Sequence, residues 1–175
     1  AAEGAIHACR VHDGAASFQV LGGGAARGLC GSGLVDVVAA FLDLGRVAAS
    51  GRMADGIKTI PLRDAVILDQ TDIRQLQLAK GAIAGGLAVM LARRGLAAED
   101  LESVYLAGAF GNYVNRAAAS RIGLVPGRSD AIRTAGNTAL LGGKLALFDD
   151  DHDYQTVRDL VTHVNLKADP EFQDR

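Results

Sequence analysis

The segment VYLAGAFGNYVN, residues 104–115, decides how the rest of the chain is interpreted. It begins with β-branched and bulky apolar residues, which predict a strand. Gly108 and Gly111 follow on either side of an Ala-Phe pair, and a helical pattern begins at Asn115. A plain turn needs one glycine, so two glycines indicate that another group approaches the backbone closely.

This segment predicts a ligand site, because ligands in open α/β sheets bind beside the carboxyl ends of strands. Gly108 has no Cβ, so a flat aromatic base could lie against its backbone. Asn112 could form a hydrogen bond with the edge of a base or a ribose. The alternative is a tight connection between strand and helix, with Phe110 packed in the core.

The rest of the chain alternates short apolar strands with helical patterns, which predicts an α/β fold without an internal repeat. Strands are predicted within residues 5–22, around a turn at Asp13 and Gly14, and at residues 57–60 and 65–68. Helices are predicted at residues 33–45, 71–97, 97–102, 115–123, 136–149 and 153–164.

The longest predicted helix, residues 71–97, is expected to begin with a cap at Thr71 or Asp72. An apolar stripe runs along it through Ile83 and Met90. Its internal glycines cost about 1 kcal/mol each relative to alanine, and they survive more easily where another backbone or a ligand packs tightly. These glycines are Gly81, Gly85 and Gly86.

The composition excludes several classes of protein. The net charge of -2 gives no basic footprint for binding nucleic acid, and no run of 18 apolar residues predicts a membrane span. The 175 residues suit one domain, or one lobe of a larger one. Cys9 and Cys30 lack CxxC spacing, so we expect reduced thiols in a cytoplasmic protein.

A second motif, GLCGSGLVD, occupies residues 28–36. Gly31 and Gly33 flank Ser32 at the start of a predicted helix, where backbone N–H groups and the helix dipole favour an anion. The motif is neither a Walker loop nor GxGxxG. The alternative is that Ser32 simply caps the helix.

A third motif, QLQLAKG, occupies residues 75–81 in the longest predicted helix. Gln77 and Lys80 are three residues apart and therefore lie on one side of it. Lys80 has small neighbours and could reach a phosphate or a ribose as a point charge. The alternative is a solvated lysine.

The sequence predicts neither catalytic residues nor metal ligands. The acidic run at residues 149–153 lacks the alternating spacing of an EF-hand loop, so we interpret it as a solvated connection. His7, His12 and His163 have no acid or thiol partner at a convincing ligand spacing, and no Ser/His/Asp set can be placed.

Three motifs in a fixed order, GLCGSGLVD, QTDIRQLQLAKGAI and VYLAGAFGNYVN, are followed by GNTALLGG. This combination resembles the C-terminal domain of the reductive activators of corrinoid proteins, over roughly residues 5–172. Those are ATP-dependent, ferredoxin-like proteins that reduce inactive Co(II) corrinoid to Co(I) in methyl-transfer systems. The resemblance implies an actin-like ATPase (ribonuclease H-like) lobe, α/β, with a mixed sheet and flanking helices.

The resemblance implies an adenosine motif in the strand-then-glycine segment, with Gly108 and Ala109 against the adenine or the ribose. Alanine stands at the usual second glycine position, and its methyl group crowds the base. The helix at residues 136–147 resembles a connecting helix whose small residues let two helices cross closely. The residues expected around the nucleotide are Gly31, Ser32, Gly33, Gln77, Lys80, Gly108, Ala109, Phe110 and Asn112.

No phosphate loop of the Asp-x-Gly-Thr kind occurs in the sequence, and an iron–sulfur module needs four clustered cysteines. The resemblance implies that both parts lie upstream of residue 1, in a parent protein that binds ATP with Mg²⁺. We therefore expect residues 1–175 to form a single C-terminal lobe that does not hydrolyse ATP alone. The implied partner is a corrinoid protein of a methyltransferase system, with a homodimer possible and neither nucleic acid nor membrane expected.

Two alternatives stay open at this point. One is an activator of a 2-hydroxyacyl-CoA dehydratase or benzoyl-CoA reductase, where a cysteine from each subunit holds one iron–sulfur cluster; Cys30 stands in a suggestive place for it. The other is a module that docks a protein partner and has no enzymatic role. Iron content would test the first, and capture of a corrinoid protein without nucleotide binding would favour the second.

Overall fold

A computed structural model describes residues 1–148 and 154–173 of the chain. The described strands are β1 (Ala5–His12), β2 (Ala15–Val20), β3 (Gly28–Leu29), β4 (Thr59–Arg63), β5 (Val66–Asp69), β6 (Val104–Ala107) and β7 (Ile132–Gly136). The described helices are α1 (Gly31–Asp43), α2 (Gln70–Arg93), α3 (Gly108–Tyr113), α4 (Arg116–Arg121), α5 (Thr138–Phe148), α6 (Tyr154–Leu160) and α7 (Pro170–Gln173). Short 3₁₀ turns lie at Ala98–Asp100 and Leu166–Ala168.

The N-terminal sheet is mixed, in the order β2-β1-β3. β1 pairs antiparallel with β2, and β3 pairs parallel with β1. The predicted turn between β1 and β2 is confirmed: Asp13 and Gly14 have φ of 49° and 74°, the positive values that a tight hairpin turn of two residues requires. α1 then packs back onto β1.

Two further pairs of strands complete the described sheets. β4 and β5 form an antiparallel pair, and β6 and β7 form a parallel pair in which Val104 lies opposite Ile132. This arrangement of small sheets with flanking helices confirms the predicted α/β fold class. The sequence analysis missed β7, because its five residues, IRTAG, contain one large apolar side chain.

The main hydrophobic core joins elements from both halves of the chain. Full burial of a large apolar side chain contributes about 1.5–3 kcal/mol. Phe18 of β2 meets Phe41 of α1 edge to face, with ring centroids 6.5 Å apart, which adds a directional contact to the burial. Large side chains buried in this core are Phe41, Ile60, Leu68, Ile73 and Ile132.

α2 begins at Gln70, one residue earlier than predicted, and the expected cap at Thr71 or Asp72 is wrong. Asp69 has an extended backbone, and its Oδ1 accepts hydrogen bonds from the backbone N–H groups of Thr71 (2.7 Å) and Asp72 (3.0 Å). The Asp72 carboxylate in turn accepts one from the N–H of Asp69 at 3.0 Å. This reciprocal capping box satisfies donors that a helix start otherwise leaves unpaired.

The predicted apolar stripe of α2 does not describe its buried face in the second half of the helix. Ile83 and Met90 are 45% and 44% exposed. Gly85 and Gly86 are buried instead, because a Cβ on them would lie 3.3 Å from the ring of Phe172 and 3.0 Å from Leu166. Tight packing is therefore found at Gly85 and Gly86, against side chains of the C-terminal segment, whereas Gly81 has no neighbour within 4 Å of where a Cβ would stand and the interpretation is wrong there.

Length and mean hydropathy alone would allow α2 to cross a membrane. These two criteria also fit helices in the cores of folded domains, and α2 contacts α1, β5 and α7. The last helical prediction, residues 153–164, corresponds to α6, which ends at Leu160. The acidic run at residues 149–153 lies outside the described residues.

Candidate functional site: a cavity between the starts of α1 and α3

The two glycines of the segment at residues 104–115 have different structural roles. β6 passes directly into α3 at Gly108, whose φ of 85° belongs to the left-handed region that favours glycine. A Cβ on Gly111 would lie 2.9 Å from the carbonyl carbon of Leu106, so Gly111 lets α3 fold back tightly against β6. Gly108 therefore makes the turn, and Gly111 permits the close packing.

Phe110 lies at the surface of the fold, which excludes the alternative that it is packed in the core. Its side chain is 48% exposed. One edge of its ring faces Gly31, where a Cβ would lie 3.2 Å from Cε2. The first turn of α3 thus meets the first turn of α1 through an aromatic ring and a glycine.

A cavity of about 450 Å³ lies between these two helix starts. Four of the predicted binding residues line it: Gly31, Ser32, Ala109 and Phe110. The motifs did not predict the remaining lining residues as part of the site, although three of them have aromatic or titratable side chains. They are Ala1, His7, Leu21, Cys30 and Tyr113.

Ser32 is buried in the floor of this cavity, and the alternative in which it caps α1 is wrong. The capping position belongs to Cys30, whose side chain makes no capping hydrogen bond. The Ser32 hydroxyl donates instead to the carbonyl of His7 at 3.3 Å and lies 3.2 Å from the Cys30 sulfur. Because no side chain caps the helix, the first N–H groups of α1 keep their capacity to bind an anion.

Gly33 holds α1 close to β1. A Cβ at this position would collide with the carbonyl oxygen of Ile6. Gly33 is buried and does not line the cavity. Its contribution to the predicted site is therefore the placement of the start of α1.

The side chain of Asn112 connects α3 to β7 by a hydrogen bond. Its side-chain oxygen accepts a hydrogen bond from the backbone N–H of Gly136 at 3.1 Å. Asn112 is not among the residues that line the cavity, so its contact with a base or a ribose stays a prediction.

Gln77 and Lys80 lie outside this cavity and line a much smaller one, of about 50 Å³. Gln77 donates a hydrogen bond to the carbonyl of Ser50 at 3.0 Å and packs against Gly51. The Lys80 ammonium lies beside Gly123, where a Cβ would be 3.3 Å away. The structure does not bring these two side chains together with Gly31 and Phe110.

One polar residue of the GLCGSGLVD motif was missed as a candidate. Asp36 is buried on the inner face of α1, and its Oδ2 accepts a hydrogen bond from the backbone N–H of Cys9 at 3.2 Å. Burial raises the pKa of Asp36, although that hydrogen bond, His7 and Asn115 favour the charged form. A carboxylate inside an otherwise apolar helical face was the available signal, because such residues are rarely buried without a partner.

Burial also affects the thiol of the nearby Cys9. Desolvation and the Asp36 carboxylate raise the pKa of Cys9 to about 11, so its thiolate is suppressed.

Across the described residues, no three His, Cys, Asp or Glu side chains are grouped to hold a metal ion. Two cysteines also fall short of the four ligands of a typical iron–sulfur cluster.

Comparison of the whole chain with known proteins identifies its family. The whole chain, residues 1–175, matches the family described as the C-terminal domain of RACo, the ASKHA domain. The chain belongs to this family. Membership in the RACo C-terminal family confirms the resemblance that rested on the three motifs and the actin-like fold class that it implied.

Relatives of this RACo-type domain carry related descriptions. The corrinoid activation enzyme RamQ of Eubacterium limosum is 30% identical over an alignment of 198 positions. The alignment covers 97% of this chain and 33% of that enzyme. The [Co(II) methylated amine-specific corrinoid protein] reductase of Methanosarcina barkeri is 30% identical over 113 residues, which cover 65% of this chain and 21% of that protein.

A solved structure shows the same fold. It is described as a reductive activator for corrinoid, iron-sulfur protein, and it matches with a TM-score of 0.81 and 26% identity over 99% of this chain. The match covers 31% of that protein. The RACo-type domain therefore spans about a third of the length of RamQ and of this activator.

Proposed function

We propose that this chain is the nucleotide-binding C-terminal domain of an ATP-dependent reductive activator of corrinoid proteins. The observation that carries the proposal is the cavity in which the free start of α1 faces Ala109 and Phe110 across Gly31. Family membership and the names of the relatives support the role in corrinoid activation. In this role the parent protein returns Co(II) corrinoid to Co(I) for methyl transfer.

The residues of the cavity suit an adenosine group. The Phe110 ring offers an aromatic face or edge, and Ala109 lies beside it at the place of the second glycine. Gly108 precedes Ala109 but does not itself line the cavity, and no atom lies within 4 Å of where its Cβ would stand. The start of α1, at Gly31 and Ser32, offers N–H groups to a phosphate.

The same cavity does not suit the metal-bound phosphates of ATP. Its described lining contains neither a carboxylate that could hold Mg²⁺ nor a lysine or arginine. Mg²⁺ bound to ATP would neutralise phosphate charge, and we assign its ligands to the rest of the parent protein. We assign the iron–sulfur cluster to the rest of the parent as well, because this chain has two cysteines.

Nucleotide binding would act on the parent by favouring one arrangement of its lobes over another. A ligand shifts such an equilibrium only by its difference in affinity between the two states. A nucleotide that lies in this cavity and makes its phosphate contacts with another lobe binds more tightly when the two lobes are close together than when they are apart. The corrinoid protein as partner, a homodimer and a cytoplasmic location belong to the same proposal.

The test is a titration of a fluorescent ATP analogue into the protein that the complete gene encodes. Phe110→Ala is expected to weaken binding about tenfold, since stacking on an aromatic ring contributes about 1–3 kcal/mol per base. Tyr105→Ala is the matched control, because Tyr105 is 66% exposed on β6 and does not line the cavity. Equal affinities for Phe110→Ala and the unmodified protein would exclude this cavity as the nucleotide site.

Corrinoid activation is tested separately, by following the absorbance of Co(II) in a purified corrinoid protein. Reduction that needs both ATP and this protein, with an electron donor present, is the expected result. Binding of the nucleotide without any ATP-dependent change in Co(II) would leave the cavity assignment intact and overturn the role in corrinoid activation.

A further inference from the structure

The short helix α3 exposes both of its aromatic side chains. Gly111 is the residue of α3 that is buried. Phe110 is 48% exposed and Tyr113 is 78% exposed. Single apolar residues scattered over a surface are ordinary, but these two aromatic residues belong to the lining of one cavity. Their exposure therefore calls for an explanation that concerns the cavity.

Tyr113 lies on the side of α3 that faces the proposed nucleotide cavity. Residues three and four apart on a helix are neighbours on its surface, which places Tyr113 beside Phe110 and Ala109. All three residues line the cavity. The contact with Gly31 limits where the ring of Phe110 can lie, because a Cβ there would be 3.2 Å from it. Tyr113 extends the aromatic lining by one turn of α3 beyond this contact.

The rings of Phe110 and Tyr113 do not pack on each other. Among the residues that the structure describes, the two aromatic rings in contact are those of Phe18 and Phe41. Aromatic rings in proteins attract each other when their centroids are about 4.5–7 Å apart. Because Phe110 and Tyr113 line the same cavity without this contact, a flat ligand could lie between them and touch both.

We propose that Tyr113 determines base specificity in the proposed nucleotide site, where the base lies between the rings of Phe110 and Tyr113. This inference rests on the proposed function, since it concerns the same cavity. Stacking on aromatic side chains accepts every base, and preferences among bases arise from the strength of stacking. A purine has two fused rings and a pyrimidine has one, so a purine covers more of both side chains. The site therefore selects purine nucleotides over pyrimidine nucleotides.

The test is a competition titration of the protein that the complete gene encodes. ATP or UTP displaces a fluorescent ATP analogue that is labelled on the ribose, so that its base is unmodified. Tyr113→Leu removes the ring and keeps an apolar side chain. It is expected to weaken ATP about tenfold and UTP about threefold, because the larger base loses more stacking. An unchanged affinity for ATP, or an unchanged ratio of the two affinities, would overturn the proposal.

Two matched variants show whether the ring itself is responsible. Tyr113→Phe keeps the ring and should change the affinity for ATP less than twofold. Tyr105→Leu makes the leucine substitution at a tyrosine that is 66% exposed and does not line the cavity, so it should bind ATP normally. Urea denaturation of Tyr113→Leu should match that of the unmodified protein, since the side chain is mostly exposed. Equal losses of ATP affinity in Tyr113→Phe and Tyr113→Leu would contradict a role of the ring.

Phe110→Ala separates a failure of this inference from a failure of the proposed function. If Phe110→Ala weakens ATP and Tyr113→Leu does not, the nucleotide lies in the cavity but its base is not between the two rings. The proposed function then stands and this inference is wrong. If neither variant weakens ATP, the cavity is not the nucleotide site and both are wrong. Weaker ATP in both variants, with a smaller preference over UTP in Tyr113→Leu, supports both.

Discussion

The ring of Phe110 lies against Gly31, so that the first turns of two helices far apart in sequence share one cavity wall. A Cβ on Gly31 would stand 3.2 Å from the ring, closer than an ordinary van der Waals contact. The glycine therefore fixes where the ring lies, and the ring closes one side of the proposed nucleotide site. This contact can be tested from both sides.

Gly31→Ala should weaken binding of the ATP analogue several-fold while changing the free energy of unfolding by less than about 1 kcal/mol. Phe110 is half exposed and can shift to make room for the methyl group, so the cost falls on the shape of the cavity. Fluorescence titration and urea denaturation measure the two effects. A large loss of stability with unchanged affinity would show that Gly31 is needed for folding alone.

Gly33→Ala should destabilise the fold by about 3 kcal/mol, because the added methyl group meets the backbone oxygen of Ile6, which cannot move aside. Gly81→Ala is the matched substitution in α2, where a Cβ has no neighbour within 4 Å. It should stabilise the protein by up to about 1 kcal/mol through helix propensity. Urea denaturation compares the two, and effects of the same sign would contradict the packing of α1 on β1.

Lys80→Ala should change the affinity for the ATP analogue less than twofold, because Lys80 lies beside Gly123 in the smaller cavity. The sequence motif and the family resemblance predict this lysine at the nucleotide. Titration under the conditions used for Phe110→Ala checks the difference. A tenfold loss would show that the bound state brings α2 to the nucleotide.

Asp69→Ala should cost about 1 kcal/mol of stability, because the Asp69 carboxylate accepts two hydrogen bonds at the start of α2. Thr71→Ala should cost much less, since the cap uses the backbone of Thr71 and not its hydroxyl. The pair is compared by urea denaturation. A larger cost for Thr71→Ala would restore the capping position expected from the sequence.

The raised pKa of Cys9 predicts a loss of stability in alkali. Its thiol keeps the proton up to a pKa of about 11 in the folded chain, against 9.0 ordinarily. Between these values the unfolded state releases a proton that the folded state retains, so this contribution is complete below pH 9 and lost as the pH rises to 11. Cys9→Ala should flatten the fall measured by urea denaturation across that range, and Cys30→Ala should leave it unchanged.

The sequence was sufficient to predict features that depend on the backbone of a single residue or on neighbours close to it in the chain. The turn at Asp13 and Gly14 follows from conformations that few residues adopt, so it could be predicted. The helix beginning near Gly31 could be predicted from apolar spacing. These features contain the glycine and aromatic wall of the candidate site.

The sequence was insufficient where contacts join distant segments. Nothing near Gly33 indicates the carbonyl of Ile6, and nothing near Gln77 indicates that its amide reaches Ser50. Asp36 was overlooked because its significance depends on burial among α1, β1 and α4, and an isolated aspartate in a helix is ordinary. Such contacts depend on the assembled fold, which local patterns do not encode.

The packing of the C-terminal segment on α2 has a consequence for the order of folding during synthesis. The ion pair between Arg93 and Asp169, at 2.7 Å, joins residues that are 76 positions apart in the chain. At translation rates of about 5–20 residues per second, the end of α2 leaves the ribosome roughly 4 to 15 seconds before its partner exists. During that interval Gly85 and Gly86 lack Phe172 and Leu166, so the second half of the longest helix acquires its native contacts last.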